Sequence, residues 1–572
     1  MQAAQAVVEE RQASDWLERE SEEATQTVPS PWEQVVLFTM ALLVLMVWAG
    51  LLTFHYRILQ GDALSRTYNA AIVLYDQVPR LANIGFIWAP FPSLLQLPLA
   101  LYKPLLIEGF AGPIVSVLCG ALSLLLMNRI LCRFIPERLL RWSLLLLYQG
   151  NILIFYYSIN GMTEMILVVL ALACWYYFQR LWDELAHANG VFAVAAMGLL
   201  AGLTFLSRYE GASFGMVMFL VLLIALLARG RRLGIFVALG RRGKMTANPQ
   251  GMMVIEGYSL AYLSPFVYAI LLWLFANWTI MGDPLYFMFG RGSNVQQSAA
   301  LATSSQLFGT LRGNVLASLA YCATALALLF PAFYLAESLL LFLALRRRDA
   351  FAMSIFLVTL SFPLFQVGLL AAGQSFGWTR FFIYVIPFSV IGLAHALKPA
   401  MRSARNAFWG TALLLAIAAS STITLYGISS PTIHQEDEMN FVRAVVDGQR
   451  VDNLAAEREV SQYLSRLPRD KKVLTDDLQA DYIILLTQQF DRFITTRNPE
   501  FIEIIGNPVG IADYVLVPRV GGDVNRIIEA FPDVFEHGTP FLSLEKEFPG
   551  RSGSAWRLYK VIETSSEGGL RR

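Results

Sequence analysis

Five charged residues stand at the ends of long apolar runs: Asp62, Glu164, Arg208, Glu210 and Arg380. Charge is scarce in this chain, 15% of residues against about 25% in an ordinary soluble protein. An ionised group at a membrane edge is costly to keep, so each is a functional candidate. The chemistry they could do is specific. A carboxylate can take the proton of a hydroxyl, and arginines can grip a phosphate through paired hydrogen bonds. Each also has a plain structural reading. Asp62, in Gln60-Gly61-Asp62-Ala63-Leu64-Ser65-Arg66, would cap a helix running from Ala63 to Tyr75. Glu164 would suit a helix N-terminus, Arg208 and Glu210 would pair with each other, and Arg380 would snorkel to lipid headgroups.

The elements that must position them are apolar runs near twenty residues, the length a bilayer core demands of a helix. Spans are predicted at 34–56, 112–131, 142–158, 163–181, 191–207, 211–228, 254–280, 315–345, 351–372, 381–397 and 407–426, about eleven in all. Trp88 to Ile107 is apolar enough to cross, but it holds Pro90, Pro92, Pro98 and Pro104. Four missing backbone donors would break a lipid-exposed helix, so this stretch is expected to be interfacial or re-entrant. Basic residues agree. With the N-terminus inside, the inside loops carry 17 Lys/Arg in 51 residues, and the opposite loops carry 8 in about 100. Crossing at 88–107 would put Arg231, Arg232, Arg346, Arg347 and Arg348 outside.

An odd number of crossings places the C-terminus opposite the N-terminus. Outside are then the first loop 57–110, the turns at Asn160–Glu164 and Arg208–Gly211, the loop Gly282–Asn314 and the turn Gly373–Arg380. Residues 1–31 are polar and acidic, expected as a disordered cytoplasmic tail. Residues 32–430 make the membrane domain. From Pro431 to Arg572 the composition changes to 17 Lys/Arg and 23 Asp/Glu, and an outer α/β domain is expected. Strands are predicted at Lys472–Thr475, Tyr482–Thr487, Tyr514–Val517 and Trp556–Val561, and helices at Asn453–Leu467 and Val524–Ala530. Asp476-Asp477 ends a strand and reads as a turn or helix cap. The four cysteines read as small buried hydrophobes with no disulfide or zinc spacing. A net charge of +1 gives no case for nucleic acid, and no Walker loop, dinucleotide fingerprint or hydrolase elbow is present.

Sidedness thus gathers two carboxylates and two arginines at the outer ends of spans one, four, five/six and ten, with Glu210 beside them. At this point the sequence resembles the GT-C superfamily of polyprenyl-phosphate-sugar-dependent glycosyltransferases. It is most similar to the branch near the protein O-mannosyltransferases and the lipid A aminoarabinose transferase. Ordered motifs over roughly 34–400 carry the resemblance: Gly61-Asp62, Trp88-Ala89-Pro90-Phe91-Pro92, Gly161-Met162-Thr163-Glu164, Arg208-Tyr209-Glu210-Gly211, Gly282-Asp283-Pro284-Leu285-Tyr286, and Arg380 before an aromatic span with Pro387.

The resemblance implies a polytopic α-helical membrane protein that moves a sugar from a polyprenyl monophosphate to an acceptor hydroxyl. The acceptor would be a glycan, lipid or protein. It maps the catalytic base onto Asp62 and the lipid-phosphate contact onto Arg380. Arg208, Glu164 and Glu210, with Arg66 and Trp88 of the first loop and Arg291, are candidate substrate-binding residues. The loop Gly282–Asn314, with Phe287, Phe289 and Arg291, could act as a lid. Family members often carry Asp-Glu or Asp-x-Asp where this chain has Asp62-Ala63; a lone carboxylate holds a divalent ion poorly, and no metal or cofactor is expected. Two rival classes remain: a transporter or flippase of a lipid-linked substrate, and a non-catalytic scaffold presenting the outer domain. Against a transporter stand the lack of an internal repeat and the clustering of charge at one edge.

Overall fold

The structure, a computed structural model, describes residues 28–184, 190–230, 233, 235–239, 244–298, 305–401, 406–433, 438–519, 525–550 and 555–562. The expected N-terminal tail lies almost wholly outside the described residues. Among those described, nine helices are long and apolar enough to cross a membrane. They are Pro31–Tyr56, Ala111–Cys132, Glu164–Trp182, Gly190–Ser207, Gly211–Ala228, Gly251–Met281, Ala350–Ala371, Thr379–Met401 and Ala407–Gly427. The chain is a multi-pass membrane protein.

Two expected spans take other forms. The run 315–345 becomes Val315–Leu329 and Ala332–Arg346, bent by 109°. Pro331 sits at the bend, where its ring and missing N–H forbid a continuous helix. The run 142–158 becomes Arg138–Gly150 and Ile152–Tyr157. Here Asn151 breaks the helix and restarts it, its side chain accepting from the Leu153 N–H at 3.1 Å. The proline-rich stretch does not cross: its helix is Phe91–Ala100, ten residues, followed by a 3₁₀ segment at Lys103–Gly109. Ten residues rise about 15 Å, half a bilayer core.

Close helix contact in the membrane domain relies on small residues. A Cβ on Gly198 would lie 2.1 Å from the Tyr262 carbonyl oxygen, so only glycine lets Gly190–Ser207 meet Pro249–Met281 so closely. All four cysteines are buried and free.

The C-terminal domain carries a five-stranded sheet in the order Phe493–Ile494, Val473–Leu474, Tyr514–Pro518, Trp556–Val561, Leu542–Phe548. The first three strands pair parallel and the rest antiparallel. Tyr482–Thr487, predicted as a strand, is the end of a helix at Asp477–Thr487. Its β-rich composition yielded to tertiary context: the helix is capped by Asp476 and buries Tyr482, Ile483, Ile484 and Leu485. Those residues share one apolar core with Leu64, Tyr68, Ala71 and Ile72 of the first-loop helix Gly61–Tyr75. The domain is therefore packed onto the first loop, and both lie at the face where the first and last spans meet it. Val451 N–H donates to the Tyr56 carbonyl at 3.0 Å, and Arg57 pairs with Asp452 at 3.2 Å.

Candidate functional site

Asp62 lies in the first turn of the helix Gly61–Tyr75, but the position before that helix is Gln60, so Asp62 is not its cap. Its carboxylate faces the membrane domain instead and pairs with Arg380 at 3.1 Å. Arg380 sits on a 3₁₀ turn, Thr379–Phe382, that opens its span. Arg380 is 3% exposed, and its guanidinium lies 3.9 Å from the Trp378 ring centroid, a contact suited to a desolvated cation.

Glu164 is fully buried at the first residue of its helix. Gly161 delivers it there: its φ of +82° is left-handed, and a Cβ would meet Pro113 at 2.8 Å. Glu164 accepts from Arg208 and lies 3.7 Å from the Arg380 Nε. Arg208 also pairs with Glu210 at 3.0 Å and donates to the Thr163 hydroxyl at 3.0 Å. Asp62, Arg380, Glu164, Arg208 and Glu210 thus form one continuous chain of ion pairs. The structure brings together all five charges that the sequence singled out first.

Arg66 and Trp88 belong to the same wall. The Arg66 guanidinium lies 4.8 Å from the Trp88 ring centroid and donates to the Asp62 carbonyl at 2.9 Å. Tyr209 ties the short turn to this loop, donating to the Ile87 carbonyl at 2.8 Å. Burial acts to raise the Asp62 pKa, but Arg380, Arg66 and Arg208 outweigh it and hold the carboxyl below the usual aspartate range. Glu210 is likewise lowered: burial opposes, and Arg208 prevails.

The expected lid divides in two. Phe287 is buried against Phe86, Phe205 and Trp273, so the short helix Tyr286–Phe289 rests on the first loop, while Phe289 is exposed. Arg291 does not join the ion-pair chain. It pairs with Asp476 at 3.1 Å, bridging the loop to the C-terminal domain. Asp476 already had a local duty, accepting from the Leu478 N–H at 3.0 Å as a helix cap.

Sequence reasoning missed Glu438. It opens the helix Glu438–Asp447 after the last span and is fully buried. It accepts from Tyr157 at 2.7 Å and from Thr379, the neighbour of Arg380. Glu438 thereby holds both the turn that carries Arg380 and the strand of chain leading to Glu164. Its only sequence signal was membership of the run Glu436-Asp437-Glu438, where a single acid does not stand out. Among the described residues no three His, Cys, Asp or Glu side chains converge on a metal position.

No family model and no curated protein sequence matches the chain. Solved structures do. ArnT from Cupriavidus metallidurans bound to undecaprenyl phosphate superposes with a TM-score of 0.51 at 13% identity, covering 95% of this chain and 100% of that one. The apo form of the same ArnT gives 0.51 at 12% identity, covering 91% and 97%. At such identities the likeness shows the fold alone: a polytopic helical membrane protein with a small C-terminal α/β domain.

Proposed function

We propose that the chain is a membrane glycosyltransferase that moves a sugar from a polyprenyl monophosphate to an acceptor hydroxyl, with inversion, on the non-cytoplasmic face of the plasma membrane. One observation carries the proposal: Asp62, Glu164, Arg208, Glu210 and Arg380 meet in one ion-pair chain at the membrane edge, within the fold of a transferase solved with undecaprenyl phosphate bound. The excess of Lys/Arg in the opposite loops supports the orientation. A charge cluster at one edge, rather than at the midplane, speaks against a transporter.

The ion pairs explain how the site would be armed. Arg380 is engaged by Asp62. A lipid phosphate entering the site competes for that guanidinium, which suits bidentate phosphate contact. Asp62 is then released from its strongest counter-charge and becomes more basic. Its carboxylate takes the acceptor hydroxyl proton as the hydroxyl oxygen bonds to the anomeric carbon. The bond from that carbon to the phosphate oxygen breaks, and its electron pair stays on the phosphate. Arg380 and Arg208 stabilise the growing charge. A phosphate leaves readily, so no strong general acid is required. Glu164 and Glu210 keep the arginines in place.

Purified full-length protein given an undecaprenyl-phosphate-linked sugar and acceptor tests this. Asp62→Asn should abolish transfer yet leave binding of undecaprenyl phosphate intact, whereas Arg380→Ala should weaken that binding. Near-normal turnover by Asp62→Asn would remove Asp62 as the base.

A further inference from the structure

A cleft of about 510 Å³ lies between the helix Gly61–Tyr75, the loop after Met281 and the C-terminal domain. It has the size of a small-molecule site, and neither the lipid chain nor the phosphate of the proposed donor fits its lining. Its four arginines already have partners: Arg80 donates to Asn83 Oδ1 at 2.9 Å and to the Arg497 carbonyl at 3.0 Å, and Arg526 pairs with Glu529 at 3.1 Å. Arg497 pairs with Asp477 at 2.8 Å and spends its other nitrogens on the Asn83 carbonyl at 2.7 Å and Asn69 Oδ1 at 2.9 Å. Arg291 is paired with Asp476. A phosphate here would have to displace the carbonyl and amide acceptors by which Arg497 ties the first loop to the C-terminal domain, as well as a carboxylate. A hydrocarbon chain would bury Asn69, Asn83, Asp477 and Asp481 without compensation.

What remains is a wall of planar amide and carboxyl groups interleaved with aromatic faces: Tyr68, Trp88 and Tyr286 beside Asn69, Asn498 and Asp481. Hydroxyl-rich rings suit such a wall. Their hydroxyls both donate and accept, and their C–H faces stack on aromatic rings. We propose that this cleft binds a saccharide unit, with the C-terminal domain supplying half of its walls.

Placement supports the assignment. Ser65 lines the cleft, and Asp62 lies one turn earlier on the same helix, about 4.5 Å away along the axis, with its carboxylate turned to the membrane domain. Trp88 joins the regions, lining the cleft while Arg66 stacks on its ring. The Asp481 carboxyl, hydrogen-bonded by Ser65, is pushed by burial up to about 7, so it can accept or donate to a hydroxyl near neutrality.

The inference deepens the transferase reading by giving a saccharide a place beside the base. The ring could belong to the donor sugar or to a glycan acceptor, and the test separates these sources. Saturation-transfer NMR on the full-length protein would use free mannose, glucose, galactose and arabinose as probes. We expect transfer to at least one of them. It should be lost in Ile502→Trp, which fills the cleft from an exposed position, and reduced in Tyr286→Ala. Retained binding of undecaprenyl phosphate shows that these variants are folded. Bare undecaprenyl phosphate should leave the saccharide signal unchanged. A polyprenyl-phosphate-linked sugar should quench it if the ring is the donor's and spare it if the ring is the acceptor's. No transfer to any of the four sugars, or equal transfer in Ile502→Trp and the native protein, would overturn the proposal. Failure of the transferase reading would show separately, as absent donor turnover with saccharide binding intact.

Discussion

The helix Gly61–Tyr75 has two charged faces, and they are built to opposite ends. Toward the membrane domain, the Asp62 side chain meets Arg380, with Arg66 and Arg208 near. Toward the C-terminal domain, Ser65, Tyr68 and Asn69 meet Asp481, Asp477 and Arg497. On the first face, Arg380 and Arg208 bridge Asp62, Glu164 and Glu210 in one chain; on the second, Arg497 pairs with Asp477 while Asp481 is hydrogen-bonded by Ser65. The same residue type therefore titrates in opposite directions, Asp62 below the ordinary range and Asp481 up to about 7. A face whose arginines each bridge two carboxylates can exchange one of them for a phosphate. A face whose arginine is fully used can only hold a domain in place or offer neutral hydrogen bonds.

Asp62→Asn should give the largest effect on turnover, a loss of about 10²–10⁴ in kcat, the range of general-base catalysis, with Arg380 still held by Glu164 and the C-terminal domain still folded. Arg497→Ala should do the reverse. It strips Asp477, 3% exposed on its side chain, of its counter-charge, and breaking a buried pair destabilises by about 3–5 kcal/mol. Limited proteolysis and thermal unfolding should report a loosened C-terminal domain. A full loss of stability in Asp62→Asn, or an unaltered domain in Arg497→Ala, would erase the distinction between the faces.

A smaller effect is expected at Glu438, which touches neither face directly. Glu438→Ala leaves the Tyr157 and Thr379 hydroxyls without their acceptor, worth about 1–3 kcal/mol for a buried group. Because Thr379 precedes Arg380, the apparent affinity for undecaprenyl phosphate should fall more than kcat. Glu438→Gln keeps an acceptor oxygen and should restore most of it. Equal loss in both variants would mean that its charge, not its hydrogen bonds, is what matters.

The two faces also differed in how far the sequence disclosed them. Asp62, Glu164, Arg208, Glu210 and Arg380 stood out because each adjoined a long apolar run, where any charge is conspicuous. Asp477, Asp481 and Arg497 do similar pairing in a domain with 17 Lys/Arg and 23 Asp/Glu. No single pair is conspicuous there, and the pairing of Arg291 with Asp476 could not be read from it. Span placement followed hydropathy, except where one residue changed the backbone locally. Asn151 broke one run and Pro331 bent another. The helix Asp477–Thr487 was misread because its β-favouring residues are needed for packing on Tyr68 and Ile72, a contact invisible along the chain.

The smallest predicted effect tests the comparison most cleanly, because it concerns sign rather than size. Burial, with Asp477 adding to it, keeps Asp481 protonated up to about 7 in the folded protein, against the hydrogen bond from Ser65. In the unfolded chain the same carboxyl loses its proton near 4. Between these values the folded state holds the extra proton, so stability falls as pH rises and levels off above about 7. Asp62 works the other way: its lowered pKa adds stability that is present at neutrality and lost only as pH falls below the ordinary carboxylate range. Thermal unfolding of the full-length protein from about pH 5 to 8 should therefore show a downward slope that Asp481→Asn flattens. Asp62→Asn should leave that slope unchanged over the same window. An Asp481→Asn variant with the native slope would place the titrating group elsewhere and would leave the two faces with the same electrostatic character.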